Sequence, residues 1–112
     1  AAIFHQTQSR PRMITWAMSG YELVRGQLEP CGDHAGKWET SLLMALDPGM
    51  QDLSTLPEDR SVKPIGASNN GVQDANAEFG RKAVEAIVQV VRERVTAFLE
   101  HPERTPGHGS PM

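Results

Sequence analysis

The chain has 112 residues and a formal net charge of −3, which fits one domain and argues against a nucleic-acid-binding protein, because such proteins are usually basic. Hydrophobic residues make up 38% and charged residues 22%, so we do not expect disorder along the whole chain. No apolar run approaches the roughly 18 residues that cross a bilayer, and we expect neither a membrane nor nucleic acid as a partner. The single cysteine, Cys31, excludes an intrachain disulfide and favours a reducing, cytoplasmic setting.

The first predicted elements are a buried strand and a short helical piece. Residues 1–8 are compatible with the last turns of a helix, and Pro11 separates them from an apolar run at residues 13–18. The β-branched and aromatic members of that run are typical of a strand buried on both faces of a parallel sheet, although a short buried helix would give the same pattern. Apolar residues then fit a short helical piece that ends near Pro30; they are Tyr21, Leu23, Val24 and Leu28.

A second helix is predicted from about residue 36 to residue 46, because Trp38, Leu42 and Ala45 recur at helical spacing. Asp47-Pro48-Gly49 ends it. Residues 47–73 then hold three prolines and three glycines without a sustained hydrophobic period. Such a long irregular segment is either a disordered linker or an arm that packs on a neighbouring subunit, and the sequence leaves both open.

The longest predicted helix runs from about residue 74 to residue 100. Asp74 or Asn76 can cap it, and Glu78 precedes Lys82 by four residues, the favourable order for a helical ion pair. We expect its apolar stripe to be core packing; the stripe consists of Ala83, Val84, Ile87, Val88, Val91, Val95, Phe98 and Leu99.

These elements do not complete a fold by themselves. One strand and two long helices cannot build a sheet with both faces covered, so the strand needs partners from another chain or from a missing N-terminal part. The chain also begins with Ala1-Ala2 and no initiator Met. Both observations favour a piece of a longer protein.

One stretch carries candidate chemistry, at the start of the second helix. Asp33, His34 and Glu39 surround the small residues Ala35 and Gly36, and small residues let a ligand approach the backbone closely. A histidine in such a turn can act as general acid and base. Positions 34 and 39 would face about 140° apart on one helix, so these side chains converge only if His34 lies in the turn before it. The alternative is a surface loop in which Asp33 or Thr40 only caps the helix.

The same stretch resembles the creatininase (creatinine amidohydrolase) family. Members of that family carry a His-Ala-Gly or His-Gly-Gly turn, then Glu-Thr-Ser, an apolar helix and a proline. Here these features are His34-Ala35-Gly36, Glu39-Thr40-Ser41, residues 42–46 and Pro48. Residues 75–82, which read Ala-Asn-Ala-Glu-Phe-Gly-Arg-Lys, resemble the segment that opens the family's C-terminal helix.

The resemblance covers roughly residues 13–100 and implies an α/β/α layered fold with a parallel-type sheet that is only partly present in this chain. It implies a hydrolase that cleaves a C–N bond of a cyclic amide or related small ring, with a pair of divalent metal ions (zinc, manganese or iron). The family's metal ligands come from a Glu-x-His motif with a downstream Asp and from an Asn-Gly-His segment, and neither occurs here. The chain is thus predicted to be the C-terminal part of such a domain over residues 1–101, with a flexible tail over 102–112.

The resemblance also implies roles for individual residues. His34 matches the histidine that moves a proton between the attacking water and the leaving nitrogen, Asp33 matches the acid before it, and Glu39 would support the turn. Tyr21 and Gly36 are the predicted substrate-binding residues, and no metal ligand is predicted in this chain. The implied partners are a small-molecule substrate, the N-terminal half of the domain and further copies in a homo-oligomer. The alternative is a non-catalytic remnant or an oligomer-forming interaction subunit of the same fold.

Overall fold

Three α-helices and two 3₁₀ turns follow one another in the computed structural model, which describes residues 16–68 and 70–102. The α-helices are α1 (Gly20–Val24), α2 (Lys37–Leu46) and α3 (Ala77–Glu100), and the 3₁₀ turns are Leu53–Thr55 and Asn70–Asp74. The two longer helices confirm the sequence prediction to within a few residues. The predicted helical turns at residues 1–8 and the tail from residue 103 onward lie outside the described part.

The predicted α/β layered fold is wrong for the part of the chain that the structure describes, because no β-strand occurs there. Residues 16–18 of the predicted strand have irregular backbone, and residues 13–15 lie outside the described part. A strand is stabilised by hydrogen bonds to a neighbouring strand, and the described residues offer no second strand. The Trp16 ring instead meets Phe98 of α3 edge-on, with ring centroids 5.6 Å apart.

Local capping interactions explain where the helices begin. At α1, the Glu22 carboxylate accepts hydrogen bonds from the Ser19 backbone N–H and hydroxyl at 3.2 and 2.6 Å. At α3, the Asn76 side chain accepts a hydrogen bond from the Phe79 N–H at 2.9 Å. Of the two predicted capping residues, Asn76 is therefore the one that caps the helix. The predicted ion pair between Glu78 and Lys82 is present at 2.8 Å.

The core lies where α1 and α2 pack on the first half of α3. Val24, Trp38 and Ala83 are its buried centre. The helices α2 and α3 cross closely at Gly80, where an added Cβ would lie 1.8 Å from the Ser41 carbonyl oxygen. Only glycine permits that approach. The fully buried Ser41 hydroxyl accepts a hydrogen bond from the Asn76 N–H at 3.0 Å.

The apolar stripe of α3 is not all core, and that prediction is wrong for three of its side chains in the described structure. Val88 is 53%, Val95 42% and Leu99 76% exposed. The reason is geometric: all three lie on the side of the helix that is turned away from Ala83 and Val90, which pack in the core. Among the described residues, no helix is both long and apolar enough to cross a membrane.

The irregular segment after α2 contacts its own chain. Pro64, Ala67 and Val72 are buried, and the Gln73 side chain donates to the Pro57 carbonyl at 2.8 Å. Arg60 pairs with Asp74 at the second 3₁₀ turn. These contacts tie described residues of the segment to one another and to the 3₁₀ turn that precedes α3.

Candidate functional site

The candidate site is the turn at residues 33–36, directly before α2. Asp33 holds this turn against the helix, because its carboxylate accepts from the backbone N–H groups of Trp38 and Glu39 at 2.8 and 3.1 Å. Both donors belong to the first turn of α2, whose N–H groups have no partner inside the helix. The interpretation of Asp33 as a helix cap is therefore confirmed. Thr40 lies inside α2 and is not the cap.

Glu39 reaches back over the same turn. Its Oε2 accepts from the Ala35 N–H at 2.8 Å and lies 3.8 Å from His34 Nδ1. Ala35 has a φ of 48°, the left-handed conformation that lets the chain fold back in this way. His34 lies in the turn before the helix, so the condition under which His34 and Glu39 converge is met.

The backbone of His34 is fixed from a distant part of the chain. The His34 N–H donates to Ser68 Oγ at 3.0 Å, and the Ser68 N–H donates to the His34 carbonyl at 2.8 Å. Two hydrogen bonds in opposite directions fix both the position and the orientation of the His34 backbone. Sequence reasoning missed Ser68, because it lies 34 residues away in an irregular segment and no periodic pattern marks it.

The side chains of the pair face outward. His34 is 80% and Glu39 51% exposed. The imidazole can therefore meet a ligand or a second protein segment without a rearrangement of the core. The Glu39 carboxylate, 3.8 Å from Nδ1, is close enough to orient the ring.

The two predicted substrate-binding residues lie on either side of this turn. Gly36 is buried at the start of α2, and its carbonyl accepts from the Thr40 N–H at 3.2 Å. The ring of Tyr21 packs on Gly32, where an added Cβ would lie 2.7 Å from ring atom Cδ2. Tyr21 thus supports the segment that leads into His34, and its ring contacts Gly32 two residues before the imidazole.

The residues that the structure describes do not form a metal centre. Among residues 16–68 and 70–102, no group of three or more histidine, cysteine, aspartate or glutamate side chains is placed to hold a metal ion. Each carboxylate oxygen of Asp33 already accepts a backbone N–H. His34 and Glu39 alone would supply two ligands, whereas protein sites for zinc use three or four.

Comparisons with protein-family models, with curated proteins and with solved structures return no match for this chain. The resemblance to the creatininase family therefore rests on the residues quoted above.

Proposed function

We propose that this chain supplies the proton-transfer histidine of a creatininase-like amidohydrolase that cleaves a C–N bond of a cyclic amide or related small ring. The observation that carries the proposal is the state of His34: its backbone is fixed at both polar groups by Ser68, while its imidazole is exposed beside the Glu39 carboxylate. An imidazole that is held in place and open to a substrate can give and take a proton as a general acid and base.

The chemistry assigned to the imidazole is proton transfer. Cleavage of a ring amide needs a proton on the nitrogen that leaves, and His34 would donate it, having taken it from the attacking water. Glu39 would hold the ring through Nδ1, so that Nε2 faces the substrate. Asp33 acts indirectly. Its carboxylate holds the turn to the helix by accepting hydrogen bonds from the backbone N–H groups of Trp38 and Glu39.

The remaining contributions are to binding. Gly36 has no side chain and would leave room for the substrate beside the backbone at the start of α2. Tyr21 would form part of the wall beside the turn. The family's divalent metal ions, whether zinc, manganese or iron, would be held by residues outside this chain, and none of the steps above is assigned to them.

The proposal includes the partners that follow from it. The complete site needs the N-terminal half of the domain as well as the small-molecule substrate. We place the protein in the cytoplasm as a homo-oligomer.

A second candidate function is a non-catalytic interaction subunit. The exposed apolar side of α3 favours it, since Val88, Val95 and Leu99 present apolar surface that a catalytic role does not require.

The test is turnover of the protein that carries this chain, measured with creatinine, hydantoin and small lactams. His34→Ala should lower turnover by about 10²–10⁴ while the metal content of the enzyme is unchanged. His101→Ala, at the exposed end of α3, is the matched control and should leave turnover intact. If His34→Ala strips the metal, His34 is a ligand; if the wild-type protein cleaves none of these rings, the interaction subunit is the better account.

A further inference from the structure

The helix α3 carries an apolar seam on the side that faces away from the core. Val84, Val88, Val91 and Val95 follow one another at spacings of four, three and four residues. The core-facing side chains of α3, Phe79, Ala83 and Ala86 among them, lie on another face. The seam borders an open groove of about 330 Å³, whose lining residues are Ile87, Val88, Val91, Arg92, Val95 and Thr96.

Alternating spacings of four and three are those of a two-helix coiled-coil seam. In an antiparallel pair of two copies, one register places Val84 of one helix opposite Val95 of the other and Val88 opposite Val91. The two-fold symmetry then repeats both layers. Each of the four layers therefore pairs one valine with another. The paired side chains are equal in size, and the seam contains no polar residue.

The charges beside the seam select this register. Glu85 and Arg92 lie on the same flank, because seven residues make almost two helical turns, and both side chains are exposed. In the antiparallel register, Glu85 of each copy lies opposite Arg92 of the other, so opposite charges meet twice. In a parallel pair, Arg92 would instead lie beside Ile87 and its charge would be unmatched.

The shape of each copy agrees with the same arrangement. The helices α1 and α2 pack on α3 as far as Val90, whereas near the end of α3 the Trp16 ring contacts Phe98 and Leu99 is 76% exposed. Antiparallel pairing brings the more covered end of each α3 beside the less covered end of the other.

We infer that the seam of Val84, Val88, Val91 and Val95 binds a second copy of this chain, antiparallel, with Glu85 of each copy opposite Arg92 of the other. This interface does not depend on the chemistry proposed for His34.

Sedimentation equilibrium of the full chain over a wide concentration range tests the inference. The wild type should dimerise. Glu85→Arg and Arg92→Glu should each weaken the dimer about tenfold, because two attractive contacts become repulsive. The double variant should return to within about threefold of the wild type. Glu93→Arg, a charge reversal on another face of α3, is the matched control and should change nothing.

The direction of the pair is tested by the distance between spin labels at Glu100→Cys, with Cys31→Ser to remove the native thiol. At a rise of 1.5 Å per residue, the antiparallel register separates the two labelled positions by about 32 Å along the helix axis, whereas a parallel pair holds them about 10 Å apart. Any of three results would overturn the inference. They are a monomer at every concentration, a dimer whose affinity is unchanged by both charge reversals, and a distance of about 10 Å between the labelled positions. The charge variants are exposed, so they keep the test valid even if a seam substitution such as Val88→Lys fails to fold.

Discussion

Gly80→Ala should destabilise the protein, although alanine is the better helix former. The gain in helix propensity is about 1 kcal/mol. Against it, the new Cβ would lie 1.8 Å from the Ser41 carbonyl oxygen and 2.5 Å from the carbonyl carbon, both of them rigid backbone atoms.

The clash is relieved only if α2 moves away from α3 by more than an ångström, which would loosen the packing of Trp38 on Phe79, whose ring centroids lie 6.1 Å apart. Overpacking in a core costs about 1–3 kcal/mol, occasionally more. A clash with backbone atoms should cost an amount at the upper end of that range, because those atoms cannot move aside as a flexible side chain can. We therefore expect a net loss of about 2 kcal/mol or more in the free energy of unfolding.

The assay is urea unfolding followed by circular dichroism, with Arg81→Ala, at the exposed position next to Gly80, as the matched control. The control gains helix propensity without a new contact and should be neutral or slightly stabilising. If Gly80→Ala is as stable as the wild type, α2 and α3 do not cross at Gly80, and the placement of the His34 turn on this helix pair loses its basis.

Three further predictions concern the turn, the pH dependence and metal binding. Ser68→Ala should speed amide hydrogen exchange at His34, since it removes one hydrogen bond worth about 0.5–1.5 kcal/mol, whereas Ser68→Thr should preserve the protection. Hydrogen bonding from Ser19 lowers the pKa of Glu22 below its ordinary value of 4.5. The stability that this cap contributes is therefore present above pH 4.5 and declines as the pH falls through the lowered pKa. Glu22→Gln should remove that part of the pH dependence of the free energy of unfolding, measured in urea. After dialysis, elemental analysis of the isolated chain should find no stoichiometric divalent metal, and a chelator-resistant metal would contradict the ligand assignment.

Helices α2 and α3 could be predicted because their signals are local. Asp47-Pro48-Gly49 ends one helix, and Asn76 caps the other through its own side chain. The structure of residues 13–18 could not be predicted in this way. An apolar run indicates that a segment is buried, but it does not indicate which part of the protein packs against it. The same limit explains α3, whose stripe predicts burial of Val88, Val95 and Leu99, whereas the described residues that pack on α3 meet its other side.

The candidate site shows the same difference between contacts that are local in the sequence and contacts that are not. Asp33, His34 and Glu39 lie within one turn and the start of one helix, so the sequence was enough to state the condition under which His34 and Glu39 converge, namely that His34 precedes the helix. Ser68 acts from across an irregular segment, and its role depends on a backbone path that no pattern in the sequence records. Contacts of this kind are fixed by tertiary packing.

Rescue of His34→Ala by added imidazole tests the central claim most directly. The variant removes the proposed acid and base but keeps the backbone hydrogen bonds to Ser68, because those involve only the N–H and carbonyl of residue 34. The account predicts that free imidazole restores part of the lost turnover on the cyclic amide, in proportion to its concentration and without a change in metal content. Turnover that His34→Ala leaves intact, or a loss that no concentration of imidazole repairs, would contradict the assignment of His34 as the group that transfers the proton.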